Sequence, residues 1–410
     1  MKSMVSWILS ILSSLVVLYF CSSWYINEKE QLDCYNFIVL LFLFLLSFKY
    51  GFNRVLIPPP RIEDRPLLHT KERMANIEFL RIIFTIGVLC SHFFKELQLW
   101  NNGGWGVTFF FILSGFLLAK NFSPQKETSM VVKNMIIRFV PLIVLGSLLR
   151  CLFVSSVDLS GFFSEVFLLS SIGMLKVPQY NGVSWYISVL FWVSLMYFYI
   201  LKTRKKETIN FFLGVAAFIG LIALNKRGLT WDRVLGDPGD IGYLFEMRLI
   251  YGVTMVAIGY FVNSVYELLK NKVSTSLGSK ITISLLELFL LCYSVSFVFF
   301  EDCAQPRVVY ITLTFCALII LFALRIGYVS QILERKFWLR LSNYCLAVYL
   351  VQGFIVWNLV RFFLVGHSEW MLEHKSLVIL ITLSACCLAG IWAHHVIEKP
   401  CAKFLKKLMS

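Results

Sequence analysis

Apolar runs long enough to cross a bilayer recur along the whole chain, separated by short segments in which the charged residues gather. A hydrocarbon core of about 30 Å requires roughly 20 apolar residues per helix. By that measure twelve spans are expected, near 4–23, 35–50, 78–97, 105–121, 137–157, 182–201, 210–225, 247–266, 281–300, 308–325, 341–364 and 376–397. The runs near 105–121 and 210–225 are short and read as tilted or partly re-entrant. The first run carries only Lys2 ahead of it, and Tyr19-Phe20-Cys21 suits neither a small-residue cleavage site nor a lipoprotein box, so it reads as a retained anchor.

Composition agrees with that pattern. Apolar residues make up 58% of the 410 residues and charged residues 15%, against roughly 45–50% and 25% in soluble domains. Mean hydropathy is +0.75. A soluble fold cannot hide so much apolar surface behind so few charges, which excludes a cytosolic enzyme, a disulfide scaffold and a disordered chain. The expected fold is an all-α polytopic integral membrane protein of about twelve transmembrane helices. Most of the cysteines, Cys90 and Cys386 among them, sit inside apolar runs and read as small core residues.

The net charge of +14 invites a nucleic-acid reading, but the distribution of the cations argues otherwise. One set of loops holds Arg54, Arg61, Arg65, Lys71 and Arg73; Lys126 and Lys133; Lys202, Arg204, Lys205 and Lys206; Lys270 and Lys272; Arg335 and Lys336; and Lys403, Lys406 and Lys407. The alternate loops carry fewer cations, mixed with Asp and Glu. The positive-inside rule therefore places the first set and both termini in the cytoplasm of a cell-membrane protein, with 158–181 and 226–246 outside. No nucleic acid is required. Pro58-Pro59-Pro60 divides the chain into two N-terminal spans (1–57), a cytoplasmic linker (58–76), a ten-helix core (77–400) and a basic cytoplasmic tail (401–410).

Ionisable groups inside a bilayer are costly and mark function. The third span carries Glu78, Arg81 and, eleven residues after the arginine, His92. Eleven residues fall about 20° short of three helical turns, so Arg81 and His92 share a face roughly 16 Å apart, with Arg81 near the inner mouth. Glu78 lies three residues before Arg81, within pairing range. Taken singly, Arg81 is a snorkelling cation and His92 a bonded core histidine; their shared face favours a site. Arg138 and Pro141 open the fifth expected span and Arg150 lies near its middle, at the depth of His92. A buried arginine beside a histidine points to a water-lined cavity for an anionic or carbonyl group. Glu287 is an alternative ion-pair partner for Arg150. His394, His395 and Glu398 fall at the inner end of the last span, where they read as a helix terminus facing headgroups; no metal is assigned.

These residues resemble the membrane acyltransferase 3 family. Its basic residue, ten residues and histidine match Arg81 and His92, and its acidic residue three positions earlier matches Glu78. Gly106 to Phe116 is similar to the family's GVDxFFVxSGF segment. Arg138 with Pro141, the pair Trp185-Tyr186, Arg248 and the stretch Ser342 to Leu350 follow in the family's order, closed by Glu398-Lys399-Pro400. The likeness extends from Glu78 to Pro400. Three departures stand out: Thr108 replaces a frequent Asp, Gln352 a frequent His, and the family's paired arginines become Lys133 and Arg138 at unusual spacing.

The resemblance implies acyl transfer from cytoplasmic acyl-CoA, acetyl-CoA in the first instance, to a hydroxyl of an envelope glycan or lipid-linked glycan, with no permanently bound cofactor. Arg81, Lys133, Arg138 and Ser114 are then expected on the donor side. His92 is expected to be the general base, with Glu78 supporting and Arg150 a candidate for oxyanion stabilisation. Trp185, Tyr186 and Arg248 are expected on the acceptor side, although an aromatic pair at a membrane interface reads equally as a lipid-facing belt. The rival class is a transporter or flippase of an envelope precursor; such a chain is expected to show two matching halves with broken helices, and no internal symmetry is visible here.

Overall fold

A chain crossing hydrocarbon finds no outside partner for its amides and carbonyls, so it must satisfy them within helices. Among the described residues every regular element is helical. The structure, a computed structural model, describes residues 73–94, 97, 99, 102–152, 157–172, 180–226, 247–273, 276–299 and 308–408. The two N-terminal spans, the triple-proline linker and nearly all of the expected outer loop 226–246 lie outside these residues.

In chain order the helices are α1 (Ala75–Phe93), α2 (Gly106–Lys120, entered through a 3-10 turn at Gly103–Trp105), α3 (Thr128–Cys151), α4 (Leu159–Val166), α5 (Ser184–Thr203) and α6 (Lys206–Lys226). There follow α7 (Met247–Leu269), α8 (Leu277–Phe299), α9 (Val308–Leu324), α10 (Tyr328–Leu333), α11 (Lys336–Leu341), α12 (Cys345–Phe354), α13 (Arg361–Glu373), α14 (Lys375–Ala393) and α15 (Lys399–Leu408). Among the described residues eight helical stretches are long and apolar enough to cross a membrane, and α9 is a shorter apolar helix. The chain is a polytopic all-α membrane protein. Large apolar side chains such as Phe211, Phe218, Phe289 and Leu388 lie exposed on the outward faces of α6, α8 and α14, where lipid is the matching solvent.

Several expected boundaries shift. The run at 210–225 belongs to a full 21-residue helix from Lys206 to Lys226, because the charged residues at its start extend the helix instead of breaking it. The run placed at 137–157 begins at Thr128 and ends at Cys151. Arg138 therefore lies ten residues into the helix, and Arg150 lies in its last turn instead of mid-span. The run at 341–364 is not one helix: a 3-10 turn at Ser342–Tyr344 precedes α12, and a π-helical turn at Ile355–Val360 separates it from α13. His394–Glu398 does not end the last span; the backbone widens there into a π-helical turn and continues through α15. In α15, Phe404 and Leu408 are one turn apart, with Lys403, Lys406 and Lys407 between and around them, a pattern suited to lying at a membrane surface.

Without a hydrophobic drive between helices in lipid, close packing holds such a bundle together. The closest approach pairs α2 with α7: a Cβ on Gly115 would collide with the Val256 carbonyl, and one on Gly259 with the Ile112 carbonyl. Phe84, Phe109 and Phe315 interlock α1, α2 and α9, with ring centroids 4.5, 5.0 and 5.8 Å apart. Thr108, where the related family often has Asp, bonds the Tyr251 hydroxyl across α2 and α7. Such a bond contributes about 0.6 kcal/mol in membrane proteins, so glycine and aromatic packing dominates this contact.

The start of α1 is fixed from a distance. The Glu334 carboxylate accepts hydrogen bonds from the amides of Ala75 (2.9 Å) and Asn76 (3.3 Å), which otherwise lack helical partners. The Asn76 side chain donates to the Phe322 carbonyl at 2.7 Å. At the other end of the bundle, α4 folds back against the core. Glu165, 1% exposed, accepts from the Ser147 hydroxyl, the Asn181 amide and the Ser184 hydroxyl. Burial pushes its carboxyl above the usual range, opposed by those hydrogen bonds.

Candidate active site

A cavity of about 150 Å³ opens among α1, α2, α3, α5 and α12, and its polar wall comprises Arg81, Thr85, Ser114, Arg138, Tyr186 and Tyr349. Arg81 is held by Glu78, its Nη1 lying 2.8 Å from the carboxylate. The same carboxylate takes Arg73 at 3.0 Å, and Arg73 reaches on to Asn343 (2.8 Å) and Ser342 (2.9 Å). A charge-assisted network of this kind is stronger than neutral hydrogen bonds, and it clamps the first turn of α1 to the turn that opens α12. Arg138 enters from α3, within the electrostatic reach of Arg81, Glu398, Arg73 and Glu78. Glu398 is itself engaged 2.6 Å from His394 Nδ1. Around the Arg81 end of the cavity, Arg73, Arg81 and Arg138 thus stand near two already committed carboxylates, an arrangement that favours an anion.

From this cluster α1 and α12 rise side by side. Thr85 interacts with Cys345, and two turns further along both helices His92 interacts with Gln352. The interval is seven residues on each helix, so the two run parallel and in step over about 10 Å. Between these levels stands Tyr349, whose hydroxyl donates to the Val183 carbonyl at 2.7 Å and whose ring meets Tyr186 at 5.8 Å. His92 is in the last turn of α1. Its helix face continues down through Thr85 to Arg81; those two residues line the cavity, whereas His92 lies beyond the lining, two turns past Thr85.

Ser114 lines the cavity, donates to the Phe110 carbonyl at 2.7 Å and interacts with Tyr186. Glu78 sits fourteen residues before His92 on the same helix, about 21 Å along the axis, so its reach is to Arg81 and Arg73. Lys133 lies outside the cavity wall, five residues nearer the start of α3 than Arg138. Arg150 is also outside the wall. Gly146, one turn before it, packs against the Leu350 carbonyl, which puts Arg150 near the level of Gln352 and His92. Glu287 bonds the Ser330 amide at 3.0 Å, and Asn76 at the start of α1 approaches the same turn. It therefore stands at the end of the bundle opposite Arg150, and the alternative ion pair between them is not what the fold provides.

Trp185 and Tyr186 are interior residues, 7% and 9% exposed, and form no lipid-facing belt. The cause is the loop before α5, which dips inward: the Asn181 side chain donates to the Leu350 carbonyl at 2.9 Å, so α5 begins at the level of Tyr349. Tyr186 borders the cavity, whereas Trp185 lies under the Arg248 guanidinium at 5.6 Å. Arg248 also reaches the Ser171 hydroxyl at 3.5 Å. Next to the turn that opens α12, His394 and His395 flank the ring of Tyr344, with centroids 5.0 and 5.8 Å from it.

Sequence reasoning gave no role to Thr85, Cys345 or Tyr349, and treated Gln352 only as a departure. A usable signal existed, since Cys345, Tyr349 and Gln352 recur at helical spacing on one face.

Comparison with known proteins adds one positive finding. A family model described as an acyltransferase domain matches residues 74–395. No curated protein and no solved structure matches the chain.

Proposed function

The chain belongs to the membrane acyltransferase 3 family, and on that premise we propose that it carries an acyl group, acetyl in the first instance, from acyl-CoA to a hydroxyl of a cell-envelope glycan. The observation that carries this reading is the single face of α1 that runs from Arg81 and Thr85, which line the cavity, to His92 two turns beyond its lining. Arg81 and Arg138, with Lys133 further out, meet the phosphates of CoA at the inner end. Its pantetheine arm follows the face of α1 for roughly 16 Å, past Ser114 and Tyr186, and delivers the thioester to His92. An imidazole is the side chain suited to take the hydroxyl proton near pH 7. Trp185, Tyr186 and Arg248 support the acceptor. A transporter needs no such anion-to-base succession, and a match to an acyltransferase domain over most of the chain favours transfer.

Mass spectrometry of surface glycans from cells with and without the gene tests this directly. Loss of ester-linked acyl groups on deletion, restored by complementation, is the expected result. An unchanged acylation pattern would overturn the reading.

The donor enters from the cytoplasm under this proposal, with 202–206 and the C-terminal residues inside and 158–181 outside, as the positive-inside rule requires. In a cysteine-depleted background, a single cysteine at 205 is expected to resist an impermeant thiol reagent in intact cells and to react after permeabilisation. Labelling of intact cells at 205 would reverse the orientation and the donor side with it.

A further inference from the structure

Gln352 is 1% exposed, in the C-terminal part of α12. Its side chain reaches His92, yet neither its amide oxygen nor its amide nitrogen completes a hydrogen bond of proper geometry with a described group. A buried amide left so is destabilising, and an apolar residue of the same shape would relieve the cost. An amide kept in that position is explained by a group that arrives to meet it.

The surroundings hold it ready. One turn earlier, the Tyr349 hydroxyl is anchored on Val183, and the Leu350 carbonyl is taken by Asn181. The backbone then widens into the π-helical turn at Ile355–Val360, a feature that recurs at functional sites. Gln352 lies three residues beyond Tyr349 of the cavity wall on the same helix, about 4.5 Å further along the axis. It stands beside the base at the end of the path proposed for the thioester.

We propose that the Gln352 amide nitrogen is the oxyanion donor of this enzyme, an assignment that rests on the acyl-transfer reading above. As the acceptor oxygen bonds to the acyl carbon, its proton passes to His92, and the carbonyl oxygen gains the electron pair and takes the hydrogen bond from Gln352. Collapse restores the carbonyl and breaks the carbon–sulfur bond. The leaving thiolate takes the proton from His92, so one thioester and one alcohol become one ester and one thiol. A fixed neutral donor aimed at the developing charge is worth typically 10²–10³ in kcat.

Gln352→Met tests the assignment, because methionine keeps the length and the unbranched shape but cannot donate. The purified variants are compared using acetyl-CoA as donor and polysaccharide from the expressing cells as acceptor, with thiol release as readout. Gln352→Met is expected to lose about 10²–10³-fold in kcat, with acetyl-CoA affinity unchanged and thermal stability equal to or above that of the parent. Gln352→Glu, which keeps the shape with an acceptor-only end when ionised, carries the same comparison if the Met variant accumulates poorly. Gln352→His, which restores an N–H, is expected to recover part of the rate. Full activity in the Met and Glu variants would overturn the assignment, and so would a loss of rate matched by losses of stability and donor binding. A parent protein that releases no thiol above background while still binding acetyl-CoA would instead sink the acyl-transfer reading, and the assignment with it.

Discussion

Replacing His92 with glutamine is expected to lower acyl transfer by about 10²–10⁴-fold, the usual contribution of a positioned general base. Glutamine keeps comparable bulk and a hydrogen-bonding end, so the contact with Gln352 across α1 and α12 retains a polar partner and the last turn of α1 keeps its packing. What it cannot do is take a proton from a hydroxyl and pass it on. The loss should therefore fall in kcat, with acyl-CoA affinity close to that of the parent, because Arg81, proposed to meet the phosphates, lies eleven residues away on the same helix. The measurement is glycan acylation by mass spectrometry at matched expression, paired with calorimetric titration of CoA. Near-normal acylation by His92→Gln would exclude a base at this position and leave a purely electrostatic site.

Arg81→Ala is expected to act at the opposite end of the same path. A hydrogen bond to a charged group contributes about 1.5–3 kcal/mol, so removing the guanidinium should weaken CoA binding by roughly 10- to 150-fold. Folding should survive, because Glu78 keeps Arg73 at 3.0 Å after Arg81 is gone and no carboxylate is left buried alone. Arg81→Lys should restore only part of the affinity, since a point charge does not reproduce the planar fork of arginine. Calorimetry with CoA reads all three proteins. Unchanged affinity in Arg81→Ala would make the residue a headgroup anchor and rule out the phosphate site proposed at the Arg81 end of the cavity.

Much of this protein is written in one dimension. The spacing of apolar runs determined an all-α membrane protein, because helix length is set by bilayer thickness and by the need to satisfy each backbone group locally. The Glu78–Arg81 pair and the common face of Arg81 and His92 were equally legible, since both are fixed by the pitch of a single helix. Where a helix begins was less so: Arg138 and Arg150 moved toward the C-terminal end of α3 because polar residues from Thr128 onward joined the helix, and apolar counting does not register them.

The tertiary structure alone decided which helices share a wall. Residues more than 250 positions apart in the chain meet when Thr85 faces Cys345 and His92 faces Gln352, and no periodicity within either segment encodes that register. It is set by shape: the carbonyl of Leu350 accepting from Asn181, the hydroxyl of Tyr349 seated on Val183, and the carboxylate of Glu78 drawing Arg73 toward Ser342 and Asn343. The same contacts drew Tyr186 from an expected outer rim into the cavity. Positions along one helix follow from local geometry, whereas distances between helices follow from how side chains remote in sequence fill the space between them.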